Sequence, residues 1–115
     1  MIEKDLRKAR RVAVIGGHQP DQESLDIAYE TGRRLAESEA ILICGGLTGV
    51  MEAAARGAKE AGGLTIGILP GTNPEEANPF IDIGLATGLG FNRNSMVVLN
   101  AGSVIAIDGE YGTLN

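Results

Sequence analysis

Three glycines within five positions, Gly45, Gly46 and Gly49, follow the apolar run Ile41-Leu42-Ile43 and precede Val50-Met51-Glu52-Ala53-Ala54-Ala55. The run is too short for a helix and rich in β-branched residues, so it reads as a buried parallel strand. Ala, Met and Glu then favour a helix. A strand that turns on glycines into a helix leaves unpaired backbone N–H groups where the helix dipole favours an anion. With no Cβ in the way, a phosphate can approach the main chain closely. The chemistry this spacing points to is phosphate binding.

The arrangement recurs along the chain. Gly16-Gly17, Gly71, Gly88 with Gly90, and Gly109 with Gly112 each follow an apolar run. In a parallel sheet those strand ends share one edge, and ligands bind there at the point where strand order reverses. One pair alone reads as an ordinary tight turn; the set reads as a ligand-binding edge. Neither the Gly-x-Gly-x-x-Gly dinucleotide fingerprint nor a Walker A sequence is present, which argues against those two nucleotide modes.

The elements that must position these turns alternate. Residues 11–15 form a first strand. Asp21 can cap a helix whose inner stripe is Leu25, Ala28, Tyr29, Gly32, Leu35 and Ala36, with Glu23, Asp26, Glu30, Arg33 and Arg34 outward. After the strand at 41–46, Thr48 is expected to cap a helix with Met51, Ala54, Ala55, Ala58 and Ala61 inside and a left-handed stop at Gly62-Gly63. A third strand spans 64–69, a polar loop 72–79, and a weaker strand 81–87. Asn92 is expected to cap a helix to about residue 100, and 104–107 is the last strand. This order predicts an α/β fold, a three-layer Rossmann-like parallel sheet with helices on both faces.

Composition narrows the function classes. The 115 residues suit one Rossmann-like nucleotide-binding domain, 1–115. A net charge of -5 argues against a nucleic-acid partner, and Arg7-Lys8-Arg10-Arg11 reads as a solvated lead-in. No apolar run reaches the ~20 residues of a membrane span, and the charged N-terminus is no signal peptide; the expectation is a cytoplasmic protein with no membrane partner. The single cysteine, Cys44, permits no internal disulfide. His18 is the only histidine, so no metal site is expected. Ser24, Ser95 and Ser103 have no partner base in any recognisable triad order. Thr113-Leu114-Asn115 reads as the start of a helix, so the C-terminal part of the fold is expected to lie beyond this chain.

Three segments carry a family resemblance. Cys44-Gly45-Gly46-Leu47-Thr48-Gly49-Val50-Met51-Glu52-Ala53-Ala54 resembles the Gly-Gly-x-x-Gly-(Leu/Val)-Met-x-x-x-Ala segment of the LOG-like, or SLOG, Rossmann family. Gly88-Leu89-Gly90-Phe91-Asn92-Arg93-Asn94 resembles its arginine-bearing helix start. Ile107-Asp108-Gly109-Glu110-Tyr111-Gly112-Thr113-Leu114 resembles its Gly-Gly-x-Gly-Thr-Leu signature. Members include cytokinin-activating phosphoribohydrolases, proteins mislabelled as lysine decarboxylases, and a molybdenum cofactor carrier protein, whose branch the spacing here most resembles.

The resemblance implies a nucleotide-binding homodimer or higher homo-oligomer. Carried over by position, Gly45, Gly46 and Gly49 would line the ligand site; Gly16, Gly17, Thr48, Gly88, Gly90 and Gly109 are expected to join them as turn residues along the same sheet edge. Gly112 and Thr113 would hold a phosphate through N–H and hydroxyl, and Arg93 would contact the phosphate or a reacting sugar. Two departures stand out. Asn94 occupies the place where the hydrolases carry Lys, and their catalytic Glu would fall directly after Asn115. Asp108 and Glu110 also stand where the family has Pro or Gly. Three functions follow as expectations. The first is binding or carrying a nucleotide monophosphate or molybdopterin-type cofactor at the C-terminal sheet edge. The second is a phosphoribohydrolase that cleaves the N-glycosidic bond of nucleoside 5′-monophosphates, with Arg93 catalytic. The third is a non-catalytic oligomerising domain. Lysine decarboxylation is not expected.

Overall fold

The strand-forming runs assemble into one sheet, all of it parallel. The computed structural model describes residues 6–17 and 19–107. Its strands are β1 (Arg11–Gly16), β2 (Ile41–Cys44), β3 (Thr65–Leu69), β4 (Ile83–Ala86) and β5 (Ser103–Ile107). Its helices are α1 (Gln22–Glu37), α2 (Val50–Glu60) and α3 (Arg93–Leu99). The strand order is β4-β3-β2-β1-β5. The chain steps outward from β1 to β4, then returns to the other side of β1. The reversal therefore falls at β1, where an open parallel sheet forms its ligand crevice.

Side-chain alternation along the strands separates two cores. On one face Val14, Leu42 and Ile107 pack under α1 and α2 with Ala28, Ala36, Val50, Ala54, Ala55 and Ala58. On the other, Ala13, Ile41, Ile43 and Ile68 meet Val97 of α3. This is the expected three-layer α/β arrangement, with helices on both faces.

The α1–α2 contact explains the small residues of both helices. A Cβ built on Gly32 would lie 1.9 Å from the carbonyl oxygen of Ala54, and one on Gly57 would lie 2.0 Å from that of Tyr29. The two backbones touch, which only glycine permits. Outside this seam, the Tyr29 hydroxyl donates to Glu60, and the Arg56 guanidinium lies 5.2 Å from the Tyr29 ring centroid.

Local expectations hold at some places and give way at others. Asp21 caps α1 by accepting from the Ser24 N–H at 2.8 Å. Gly62 takes φ +81 at the end of α2, and the Gly63 N–H returns to the Ala58 carbonyl. Thr48 does not cap α2. Gly49 is the cap residue at φ 80, with no side-chain cap bond, because the turn needs a left-handed residue there. Asn92 precedes α3 but makes no capping bond: residues 90–92 already form a 3-10 turn that runs straight into the helix. The strand expected at 81–87 shortens to Ile83–Ala86. Asp82 instead turns its carboxylate onto the Thr65 N–H and hydroxyl, 3.0 and 3.3 Å away.

Candidate functional site

A cavity of about 600 Å³ opens at the C-terminal ends of β1, β2 and β3. Its wall combines apolar side chains from several elements (Val14, Leu47, Met51, Pro70, Phe91 and Val97) with the polar groups of Gln19, Thr48, Arg93 and Asn94. No Asp, Glu or His is among the described residues that line it.

Arg93, the first residue of α3, is only 7% exposed. A buried guanidinium needs acceptors to offset its desolvation, and the strand ends provide them. Its Nε donates to the Ile68 carbonyl at 2.9 Å, and its Nη2 donates to the Gly45 carbonyl at 3.3 Å. Its Nη1 donates to Asn94 Oδ1 at 2.6 Å. Arg93 thus fastens α3 to the ends of β2 and β3 while bordering the cavity.

Gly45 makes this approach possible. A Cβ there would stand 2.5 Å from Met51 Sδ and 2.6 Å from Arg93 Nη2. The next two carbonyls of the turn are also held by protein donors. The Asn78 N–H donates to the Gly46 carbonyl at 2.9 Å, and Asn78 Nδ2 donates to the Leu47 carbonyl at 2.7 Å. Three successive carbonyl oxygens are therefore drawn toward the protein. Cys44, just before the turn, is fully buried, and burial pushes its thiol up to about 11 against the opposing pull of the Gly46 N–H and the Arg93 charge. It is a packing group, not a thiolate at neutral pH.

The expected site residues divide. Gly16, Gly45, Thr48, Gly90 and Arg93 line the cavity together. Gly17, Gly46 and Gly88 do not line it. Gly49 borders a second, more open depression between α1 and α2, with Tyr29, Glu52 and Arg56. Gly109, Gly112 and Thr113 lie outside the described residues, as do His18, Asp108 and Glu110. Sequence reasoning missed Gln19, Asn78 and Phe91. Phe91 is 83% exposed at the rim, and an aromatic directly after the turn glycine Gly90 was the one signal that could have marked it. Among the described residues, no three or more His, Cys, Asp or Glu group as a metal set, and no helix is long and apolar enough to cross a membrane.

Comparison with known proteins gives the family and supports the fold. The model of the SLOG cluster4 family matches residues 9–115. An uncharacterized protein of Archaeoglobus fulgidus is 44% identical over 108 residues, covering 94% of this chain and 71% of its own. The molybdenum cofactor binding protein of Rippkaea orientalis is similar in structure, with a TM-score of 0.84 and 42% identity over 86% of this chain. The molybdenum cofactor carrier protein of Chlamydomonas reinhardtii gives a TM-score of 0.82 and 37% identity over 90% of this chain. The chain spans 62% and 66% of the lengths of those two proteins.

Proposed function

Because the chain belongs to the SLOG cluster4 family, we propose that it binds and carries a phosphate-bearing heterocyclic cofactor of molybdopterin type in the cavity beside Arg93. The observation that carries this reading is the pairing, in one cavity at the strand-order reversal, of a buried guanidinium with a largely apolar wall. A planar heterocycle suits the wall formed by Met51, Phe91 and Val97. A phosphate suits the guanidinium, which stays charged at every relevant pH and can bond two oxygens at once. The inward-drawn carbonyls of Gly45, Gly46 and Leu47 remove repulsion that an anion would otherwise meet. The names of the similar Rippkaea and Chlamydomonas proteins support the carrier role.

The phosphoribohydrolase alternative needs an acid or base beside the sugar. The family likeness puts that group after Asn115, and carrying is placed first because the similar Rippkaea and Chlamydomonas proteins are described as cofactor-binding and cofactor-carrying. The exposed Val98 and Leu99 support the homo-oligomer that accompanies this reading, which light scattering measures. Calorimetric titration with AMP, GMP and molybdenum cofactor released from a donor enzyme tests the function. Saturable binding of at least one, with no free base released from AMP, is the expected result. Heat indistinguishable from buffer with all three would overturn it.

A further inference from the structure

Arg93 and Asn94 are neighbours in sequence, and both side chains border the cavity, yet their surroundings are opposite. Arg93 is buried; Asn94 is exposed. Two of the bonds that hold the Arg93 guanidinium go to main-chain carbonyls, those of Ile68 and Gly45, and these pin its Nε and Nη2. The bond from Nη1 to Asn94 Oδ1 is the shortest of those described, 2.6 Å, and it runs to a side-chain oxygen, whereas Nη2 also meets the softer Met51 Sδ at 4.0 Å. A guanidinium pinned on one edge can still tilt, and a donor that must meet a ligand oxygen loses most of its value when misaligned.

We propose that Asn94 is the positioning residue for Arg93: its neutral amide oxygen sets the direction of Nη1 toward the cavity without cancelling the guanidinium charge. This rests on the cavity taking a phosphate-bearing ligand. Chemistry explains the amide. Aspartate at this place would hold the same nitrogen but would neutralise the cation and repel a phosphate. Lysine would offer no acceptor and would set a second cation against the first. Alanine would remove the Asn94 amide oxygen from Nη1. Asparagine alone among these keeps both the orientation and the full positive charge.

The test has two arms on the full chain. The first needs no ligand. Arginine side-chain 15N spectra at low temperature should show distinct, slowly exchanging Nη1 and Nη2 protons for one residue, assigned to Arg93 by their loss in Arg93→Lys. Asn94→Ala should speed rotation of the Nη1 amine and merge its two proton signals while the Nη2 protons held by the Gly45 carbonyl stay distinct, and Asn94→Asp should keep all of them distinct. The second arm titrates AMP and neutral adenosine. Asn94→Asp should weaken AMP binding about tenfold or more through charge alone, Asn94→Ala should weaken it about threefold to tenfold through lost alignment, and adenosine should bind all three proteins alike. A merely structural role would move adenosine and AMP together. Unchanged Nη signals in Asn94→Ala, or wild-type AMP affinity in Asn94→Asp, would overturn the proposal. If the wild-type chain binds neither probe, the second arm is run with the ligand that the calorimetric titration identifies; if AMP, GMP and molybdenum cofactor all fail to bind, the cofactor reading fails, and the first arm still decides whether Asn94 orients Arg93.

Discussion

The two faces of the sheet are built to different tolerances. On the α1–α2 face, glycine meets backbone at Gly32 and Gly57, and Ala28, Ala54, Ala55 and Ala58 are buried to within 1% of complete. On the α3 face, a seven-residue helix covers the strands with Val97, and Phe91, Val98 and Leu99 stand 83%, 49% and 75% exposed. The first face spends its glycines on closeness between helices. The second spends Gly45 on closeness between a turn and a cation. The closest packing therefore lies between α1 and α2, and the cavity opens where the starts of α2 and α3 meet the strand ends.

The contrast can be broken most directly at the helix seam. Gly57→Val forces a branched side chain against the Tyr29 carbonyl and should destabilise by about 3 kcal/mol or more, since neither backbone can retreat without losing its packing. Urea denaturation measures it; a midpoint near wild type would show that the two helices are free to separate. Gly45→Ala comes next. Its Cβ displaces Met51 Sδ and Arg93 Nη2, which should cost about 1–3 kcal/mol and abolish AMP binding, whereas the seam variant, where it folds, should retain binding. Loss of stability with full binding would put the ligand elsewhere.

Acid sharpens the same comparison more gently. Hydrogen bonds from Arg33 and Arg34 hold the Glu30 carboxyl below its ordinary value. A depressed carboxylate contributes stability above the unfolded pKa and loses it as pH falls through the folded one. Stability should therefore fall with acid below about pH 4.3. Glu30→Gln should blunt that fall without altering the melting temperature at pH 7 by more than a degree or two, as suits exposed ion pairs. The smallest effect on the monomer's own stability is expected on the open face: at concentrations where the chain is monomeric, Leu99→Ser should change it by less than about 0.5 kcal/mol, and a larger loss would mean that Leu99 is covered within the monomer.

These differences also mark how much was legible in the sequence. The strands were plain because Ile41-Leu42-Ile43 and its counterparts are short, apolar and bounded by glycine. Asp21 was plain because a cap acts on its own next turn. Thr48 was misjudged as a cap because side-chain chemistry suggested one while backbone geometry required glycine at 49. Gly57 passed unnoticed: inside a helix, glycine reads as a small penalty, and only the partner helix shows what it permits. Family likeness pointed to Arg93, but its bonds to the Ile68 and Gly45 carbonyls depend on where two other strands end. Asn78 props the glycine turn from a loop some thirty residues away in the chain, a distance no local pattern spans.

The bracket made by Arg93 has a kinetic consequence. Its acceptors lie 25 and 48 residues earlier in the chain, so the guanidinium can seat only after β2 and β3 have paired and α3 has docked. Contacts absent from the rate-limiting barrier to folding govern how fast a protein comes apart, not how fast it forms. Replacing Arg93 with methionine should therefore steepen escape from the native basin while leaving the refolding limb of a chevron plot where it was.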